Sequence, residues 1–160
     1  MWFHALNTGA SWVRRKAIGS FQGPSFLAIT AEDSPTGLGK ITEVDKNDAT
    51  GRRFKAVVRI LKRLRNEMVA NGYEVAEPVP SYLIECLVWN VPNDAFGHDR
   101  YRADVRYVLA HLWNQTRSDD TCSEWGEINE LKYLFRAGQP WRRDQVNGFL
   151  GAAWNYIGLK

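Results

Sequence analysis

Phe54, Val57, Val58, Leu61, Leu64 and Met68 recur at the i, i+3, i+4, i+7 interval that an α-helix gathers into one apolar face. A stripe of this kind must be covered by other elements. The spacing therefore predicts a helix over about 50–70, ending near Asn71-Gly72, inside a packed helical domain. The connector "YEVAEPVP" carries prolines that forbid a helix. Pro80 then opens a second helix, at a position where a missing N–H costs nothing. This second helix, "PSYLIECLVWNVPN", is apolar on nearly every face and belongs in the middle of the domain. Asp99 is expected to cap a third helix with Tyr101, Val105, Val108, Leu109 and Leu112 turned inward. Beyond the polar loop "QTRSDDTCS", the spacing of Trp125, Ile128, Leu131, Leu134 and Phe135 predicts a fourth helix, stopped by Gly138 and Pro140. A fifth is expected over "WRRDQVNGFLGAAWNYIG".

Ahead of the first stripe the pattern differs. Residues 1–48 are rich in Gly, Ser, Thr and Pro, and short runs such as "SFLAIT" and "GKITEV" have strand-like character. The expected fold is mainly α: a helical bundle over 49–160 behind an irregular segment, 1–48, with one or two short strands. The chain of 160 residues carries a formal net charge of +3, values that suit one domain with one core. Seven Trp residues imply an aromatic-rich core, with Trp125, Trp141 and Trp154 expected in it. Cys86 falls inside the apolar helix, which points to a reduced, buried thiol and a cytoplasmic setting. No apolar run approaches the ~18 residues needed to cross a bilayer, so no membrane partner is expected. His4, His98 and His111 have no second ligand at metal spacing, and no metal site is assigned.

Two features bear on chemistry. Seven basic residues and no acid lie between Gly51 and Arg65, with Arg52, Lys55, Arg59 and Lys62 on one stripe beside the apolar face. Like charges at such spacing repel by a few tenths of a kcal/mol per pair, so the stripe suggests an anion site, phosphate above all. The other feature is the polar start of the greasy second helix. Ser81 lies in its first turn, where free N–H groups and the helix dipole favour an anion. If the connector folds that turn back beside Lys62, the lysine and the serine hydroxyl together grip a polyphosphate tail, and Tyr82 stacks on a base. Glu85 is expected to pair with a nearby arginine. Arg142 and Arg143 are read as solvated residues at a helix start.

"FKAVVRILKRLRNEM", then "PSYLIECLVWNVPN", then a tail ending "AAWNYIG" resemble the C-terminal half of the cGAS/DncV-like nucleotidyltransferases (CD-NTases), relatives of cyclic GMP-AMP synthase and oligoadenylate synthase. The resemblance covers about residues 46–160. It implies a helical lobe from enzymes that make cyclic di- or trinucleotide signals in antiphage defence. It also implies that Lys62 and Ser81 hold a donor triphosphate while Tyr82 lies against a base, with Arg52, Lys55 and Arg59 as accessory anion contacts. The catalytic half of the family pattern is not matched. Gly19-Ser20 is followed by adjacent Glu32-Asp33, and neighbouring carboxylates on a strand point to opposite faces. Glu43 and Asp45 do alternate, but they crowd the basic helix. No catalytic residue is therefore assigned. Mg²⁺ and nucleoside triphosphates are implied only for a complete family enzyme. The leading expectation is a truncated, split or remnant CD-NTase, inactive alone, that binds a triphosphate or completes a partner chain carrying the catalytic lobe. The alternatives are a module binding nucleotide or, weakly, nucleic acid through 51–65, and a structural subunit-interaction domain.

Overall fold

A computed structural model of the protein describes residues 41–159. The strand expected over "SFLAIT", the Gly19-Ser20 and Glu32-Asp33 pairs, and His4 lie outside the described residues. Within them the secondary structure is helical: α1 Glu43–Ala49, α2 Arg53–Ala70, α3 Ser81–Trp89, α4 Tyr101–Gln115, α5 Asp119–Cys122 and α6 Arg143–Tyr156. Single 3-10 turns at Glu74–Ala76 and Asn93–Ala95 join the longer helices, and no strand is formed among the described residues.

α2 is the helix that the apolar stripe predicts, and all six stripe residues are buried. Helices α1, α3, α4 and α6 pack on it, so its stripe is the floor of the core. Its first turn is satisfied from α1. Phe54 N–H donates to Thr50 Oγ1 at 3.1 Å and Lys55 N–H to Asn47 Oδ1 at 3.1 Å, which supplies two of the amides that a helix start leaves without partners. Between the helices, Gly51 (φ 58°) and Arg52 (φ 65°) form a left-handed corner. Arg52 adopts it at a cost of about 1 kcal/mol relative to glycine.

α1 corrects the reading of "GKITEV" as extended, since Glu43 and Val44 are helical. A capping box overrides the strand propensity: Asp45 N–H donates to Thr42 Oγ1, and Thr42 N–H donates to the Asp45 carboxylate at 2.8 Å. Lys46 pins α1 to the bundle. It is buried, and its Nζ donates to Val91 O at 2.7 Å and Asn93 Oδ1 at 3.0 Å. The Phe54, Trp89 and Phe96 rings surround the same ammonium at 5.5–5.8 Å.

The start of α3 is close to expectation, with Pro80 as the extended N-cap and Ser81 as the first helical residue. Asp99 does not cap α4. The N-cap is Arg100, and the acid that organises this region is Asp104, one turn inside the helix. It is fully buried, pairs with Arg53 at 2.7 Å, and accepts from the His98 amide at 3.0 Å and the His98 ring at 2.8 Å. Burial pushes the Asp104 carboxyl up, but the bonds from His98 and Arg53 outweigh it and hold the group below its ordinary value.

The predicted fourth helix is absent. After the single turn of α5, residues 123–142 form a loop whose one bridge joins Gly126 to Tyr133. Leu134 is buried, Trp125, Ile128 and Phe135 pack partly against the core, and Leu131 is exposed. The break is local. Asn129 Oδ1 accepts from Leu131 N–H at 3.0 Å, and Glu130 sits in the left-handed region at φ 57°. Trp141 and Trp154 are half-buried against the core instead of enclosed by it. Several outer aromatics are roofed by arginines: Tyr101 by Arg53 at 4.4 Å, Trp113 by Arg117 at 5.1 Å and Tyr133 by Arg136 at 4.9 Å.

Two stability experiments follow from these contacts. Asp104→Asn leaves Arg53 without its carboxylate, and thermal or urea unfolding should show a loss of about 3 kcal/mol. Burial lowers the Lys46 amine to about 8 from 10.5, so the unfolded chain holds that proton more tightly between those values. The penalty on the fold is full below pH 8 and is relieved as pH rises towards 10.5. Relative to Lys46→Met, the wild type should therefore gain about 2 kcal/mol between pH 7 and 9.5. Parallel melting curves across that window would show the difference. A constant offset between the two proteins would mean that the aromatic faces fully compensate the burial.

Candidate functional site

Lys62 is on the flank of α2 that faces α3. Its Nζ bonds the Glu85 carboxylate at 2.9 Å, with both side chains about a quarter to a third exposed (30% and 26%). Glu85 thus pairs with Lys62 and not with an arginine. Ser81 stands one helical turn before Glu85, about 6 Å along α3. Its hydroxyl makes no hydrogen bond among the described residues, and it is exposed. The fold therefore brings Lys62 to the same short helix face as Ser81, with Glu85 holding the lysine from the next turn.

Tyr82 is partly exposed (37%), its ring tilted against Trp141 at a centroid distance of 6.2 Å. Its hydroxyl donates to Glu127 Oε2 at 3.3 Å. Glu127 is buried, and its other oxygen accepts from Gln139 Nε2 at 2.8 Å. The same amide also donates to Tyr133 O at 2.8 Å. Burial, with Cys86 and Glu127 alongside, pushes the Tyr82 phenol above its ordinary value, so it stays a neutral hydroxyl donor. Glu127, Gln139 and Trp141 were not legible as neighbours of Tyr82: Glu127 comes from a loop that the apolar spacing had presented as a helix, and Gln139 and Trp141 from the break and helix start expected after it.

Arg52, Lys55 and Arg59 converge elsewhere. With Val44, Asn47 and Asp48 of α1 they line an open groove of about 420 Å³. Lys55 leans towards Glu43 at 3.8 Å, an exposed and weak pair. Arg52 and Arg59 have no partner among the described residues. Since Asn47 and Thr50 already occupy the α2 amides, the groove attracts anions through side chains alone. Its centre at Lys55 lies about 10 Å from Lys62 along α2, with Arg59 between them.

Other basic and thiol groups have structural roles. Arg65 donates to Ala76 O and Glu77 O, Arg143 pairs with Asp119 and donates to Thr116 O, and Arg142 pairs with Asp144. Arg143 is thus tied into the fold, against the expectation of a solvated residue. Cys86 and Cys122 are free and buried, and burial pushes both thiols up, Cys122 to about 11. Glu43 and Asp45 are spent on Lys55 and Thr42. Among the described residues no three His, Cys, Asp or Glu side chains gather where a metal ion could be held.

The fold and sequence have counterparts. The model of the cGAS/DncV-like nucleotidyltransferase C-terminal helical domain matches residues 42–158. The cyclic dipyrimidine nucleotide synthase CdnE of Legionella pneumophila is 50% identical over 114 residues, which cover 71% of this chain and 37% of that protein. The synthase of the same description from Cecembia lonarensis is 39% identical over 115 residues, 71% of this chain and 39% of its own. A structure of the Elizabethkingia meningoseptica CdnE cyclic dinucleotide synthase, solved with GTP and Apcpp, superposes with a TM-score of 0.66 at 33% identity. It covers 72% of this chain and 41% of that one. The chain thus spans about two fifths of the relatives it matches. The match over residues 42–158, the identities and the superposition agree on one conclusion: this chain belongs to the cGAS/DncV-like nucleotidyltransferases, through their C-terminal helical domain.

Proposed function

We propose that this chain contributes the donor-triphosphate-contacting face of a cyclic nucleotide synthase of antiphage defence, with Lys62 and Ser81 on the phosphates and Tyr82 against a base. The observation that carries the reading is the Lys62–Glu85 bond, which seats the lysine on α3 one turn from Ser81. A relative 33% identical was solved with GTP and an ATP-like ligand, in keeping with this assignment. Lys62 supplies a point charge, and Ser81 supplies a hydroxyl beside the free amides of the first turn of α3. Glu85 holds the lysine when no phosphate is present and must yield it when one arrives.

The described residues do not fit the Mg²⁺ ions of the family's chemistry, so no step through a metal is assigned to them. Nucleotidyl transfer requires carboxylates from outside residues 41–159, on this chain or a partner. A protein of residues 41–159 alone should bind a triphosphate and convert none.

Titration of that protein with nucleoside triphosphates, followed by amide NMR, tests the assignment. Affinity should be weak, with a Kd on the order of 0.1 to 1 mM, and should fall with salt. Lys62→Ala should remove about 1 to 2 kcal/mol of it and Ser81→Ala about 1. Arg63→Ala, on the outer face, should cost little. Equal losses at Lys62 and Arg63 would mean a diffuse basic surface.

Glu85→Gln separates the two roles of the carboxylate. Loss of an exposed pair should lower stability by less than about 1 kcal/mol. Triphosphate affinity should rise about fivefold, since the phosphate no longer competes with a carboxylate for the ammonium. A fall in affinity would instead make Glu85 the group that orients Lys62.

A further inference from the structure

Lys62 is held by Glu85 of α3, whereas Tyr82 is held at its hydroxyl end by a loop from elsewhere in the chain. Its hydroxyl meets Glu127 at 3.3 Å, the Glu127 carboxylate is buried, and Gln139 fixes the second oxygen at 2.8 Å while also bonding Tyr133 O. Trp141 closes one side of the ring, and its own Nε1 is tied to Leu134 O at 2.8 Å. The loop bearing these groups is in turn sewn to α3. Asn90 Nδ2 donates to Gly126 O at 2.8 Å, and Gly126 N–H donates back to Asn90 Oδ1 at 3.2 Å. The Tyr82–Glu127 and Asn90–Gly126 bonds join segments far apart in sequence, the others tie the loop to itself, and together they leave the ring little freedom to turn.

We infer that Glu127 and Gln139 are positioning residues for Tyr82: the loop 126–141 braces the ring from its hydroxyl end, so that its open face is presented ready to stack on a nucleobase. This rests on the nucleotide reading given above and deepens it. A tyrosine on the first turn of a helix is ordinarily free to swing about its χ1 bond, and a base stacked on it would have to immobilise it. Here the protein has already done so before any ligand binds. The same logic gives the hydroxyl a purpose that stacking alone does not require, since phenylalanine would stack as well. The family resemblance points to residue 82 as a base contact. The hydrogen-bonded brace behind it is a property of this chain's own loop.

The test uses the full chain with Tyr82→Phe, Glu127→Leu and the double variant. Three readouts are needed: melting temperature, the NMR signals of the residue-82 ring, and affinity for a nucleoside triphosphate and for inorganic tripolyphosphate. The brace predicts that each single substitution shifts and averages the ring signals. Each should weaken the nucleoside triphosphate about fivefold, the worth of one hydrogen bond, with the double variant no weaker than either single. Tripolyphosphate, which has no base, should bind all four proteins alike. Glu127→Gln, which keeps one acceptor oxygen, should recover most of the loss.

Two results would overturn it. Ring signals unchanged by Glu127→Leu would show that the hydroxyl bond positions nothing. Unchanged nucleotide affinity in Tyr82→Phe, against a loss in Tyr82→Ala, would show that the ring stacks without the brace. Failure of the underlying reading looks different. If neither tripolyphosphate nor nucleoside triphosphate perturbs the wild type, the base-presenting role falls with the nucleotide site, whatever the ring signals do.

Discussion

The bundle depends on how α2 divides its surface. Its six apolar residues face the core on one side, and four other helices close on that stripe. Everything basic is therefore forced onto the remaining arc, and the angle at which each residue leaves the axis decides its use. Arg53 and Arg65, at the edges of the stripe, turn back to Asp104 and to the carbonyls of Ala76 and Glu77. Lys55 and Lys62 flank α1 and α3 and meet Glu43 and Glu85. Arg59 and Arg63, about 40° apart around the axis, face solvent, and with Arg52 of the corner before the helix they have no partner among the described residues. A single periodicity thus sets the core, the inter-helix ion pairs and the free positive charge.

How much of this could be read from the sequence follows from which physics is local. The stripe of α2, the apolar α3 behind Pro80, and Val105, Val108, Leu109 and Leu112 of α4 were legible because helical periodicity is short-ranged and strong, whereas Tyr101, expected inward, is exposed at the helix start. The approach of Lys62 to α3 was legible as a conditional, since it required the connector to fold back, but the group it meets there is Glu85, which had been expected to pair with an arginine. The segment around Trp125 was misread for a specific reason. Its apolar residues repeat at helical spacing, yet Asn129 and Glu130 break the backbone, and the apolar side chains reach the core from a loop. Periodicity records which residues seek burial and not the route the backbone takes to bury them.

Polar capping was the other blind spot. Thr42 and Asp45 make α1 a helix where composition suggested a strand, and Asp104, not Asp99, gathers the groups at the start of α4. Such choices turn on single hydrogen bonds worth about 1 kcal/mol, less than the uncertainty of any propensity sum. The Tyr82 surroundings were hidden for a related reason. Glu127 reaches the tyrosine, with Gln139 behind it, from a loop that Asn90 and Gly126 tie to α3, and no local pattern encodes a contact of that range.

The Lys46 enclosure has a consequence for chemical reactivity. An amine that burial lowers to about 8 has a larger share of free base at neutral pH than an ordinary lysine, and is the better nucleophile for it. Yet three aromatic rings and two oxygens wall it off while α1 is docked. Its reaction with an acylating reagent is thereby gated by how often α1 lifts away from the bundle. The rate of labelling at this one position becomes a clock for that local opening.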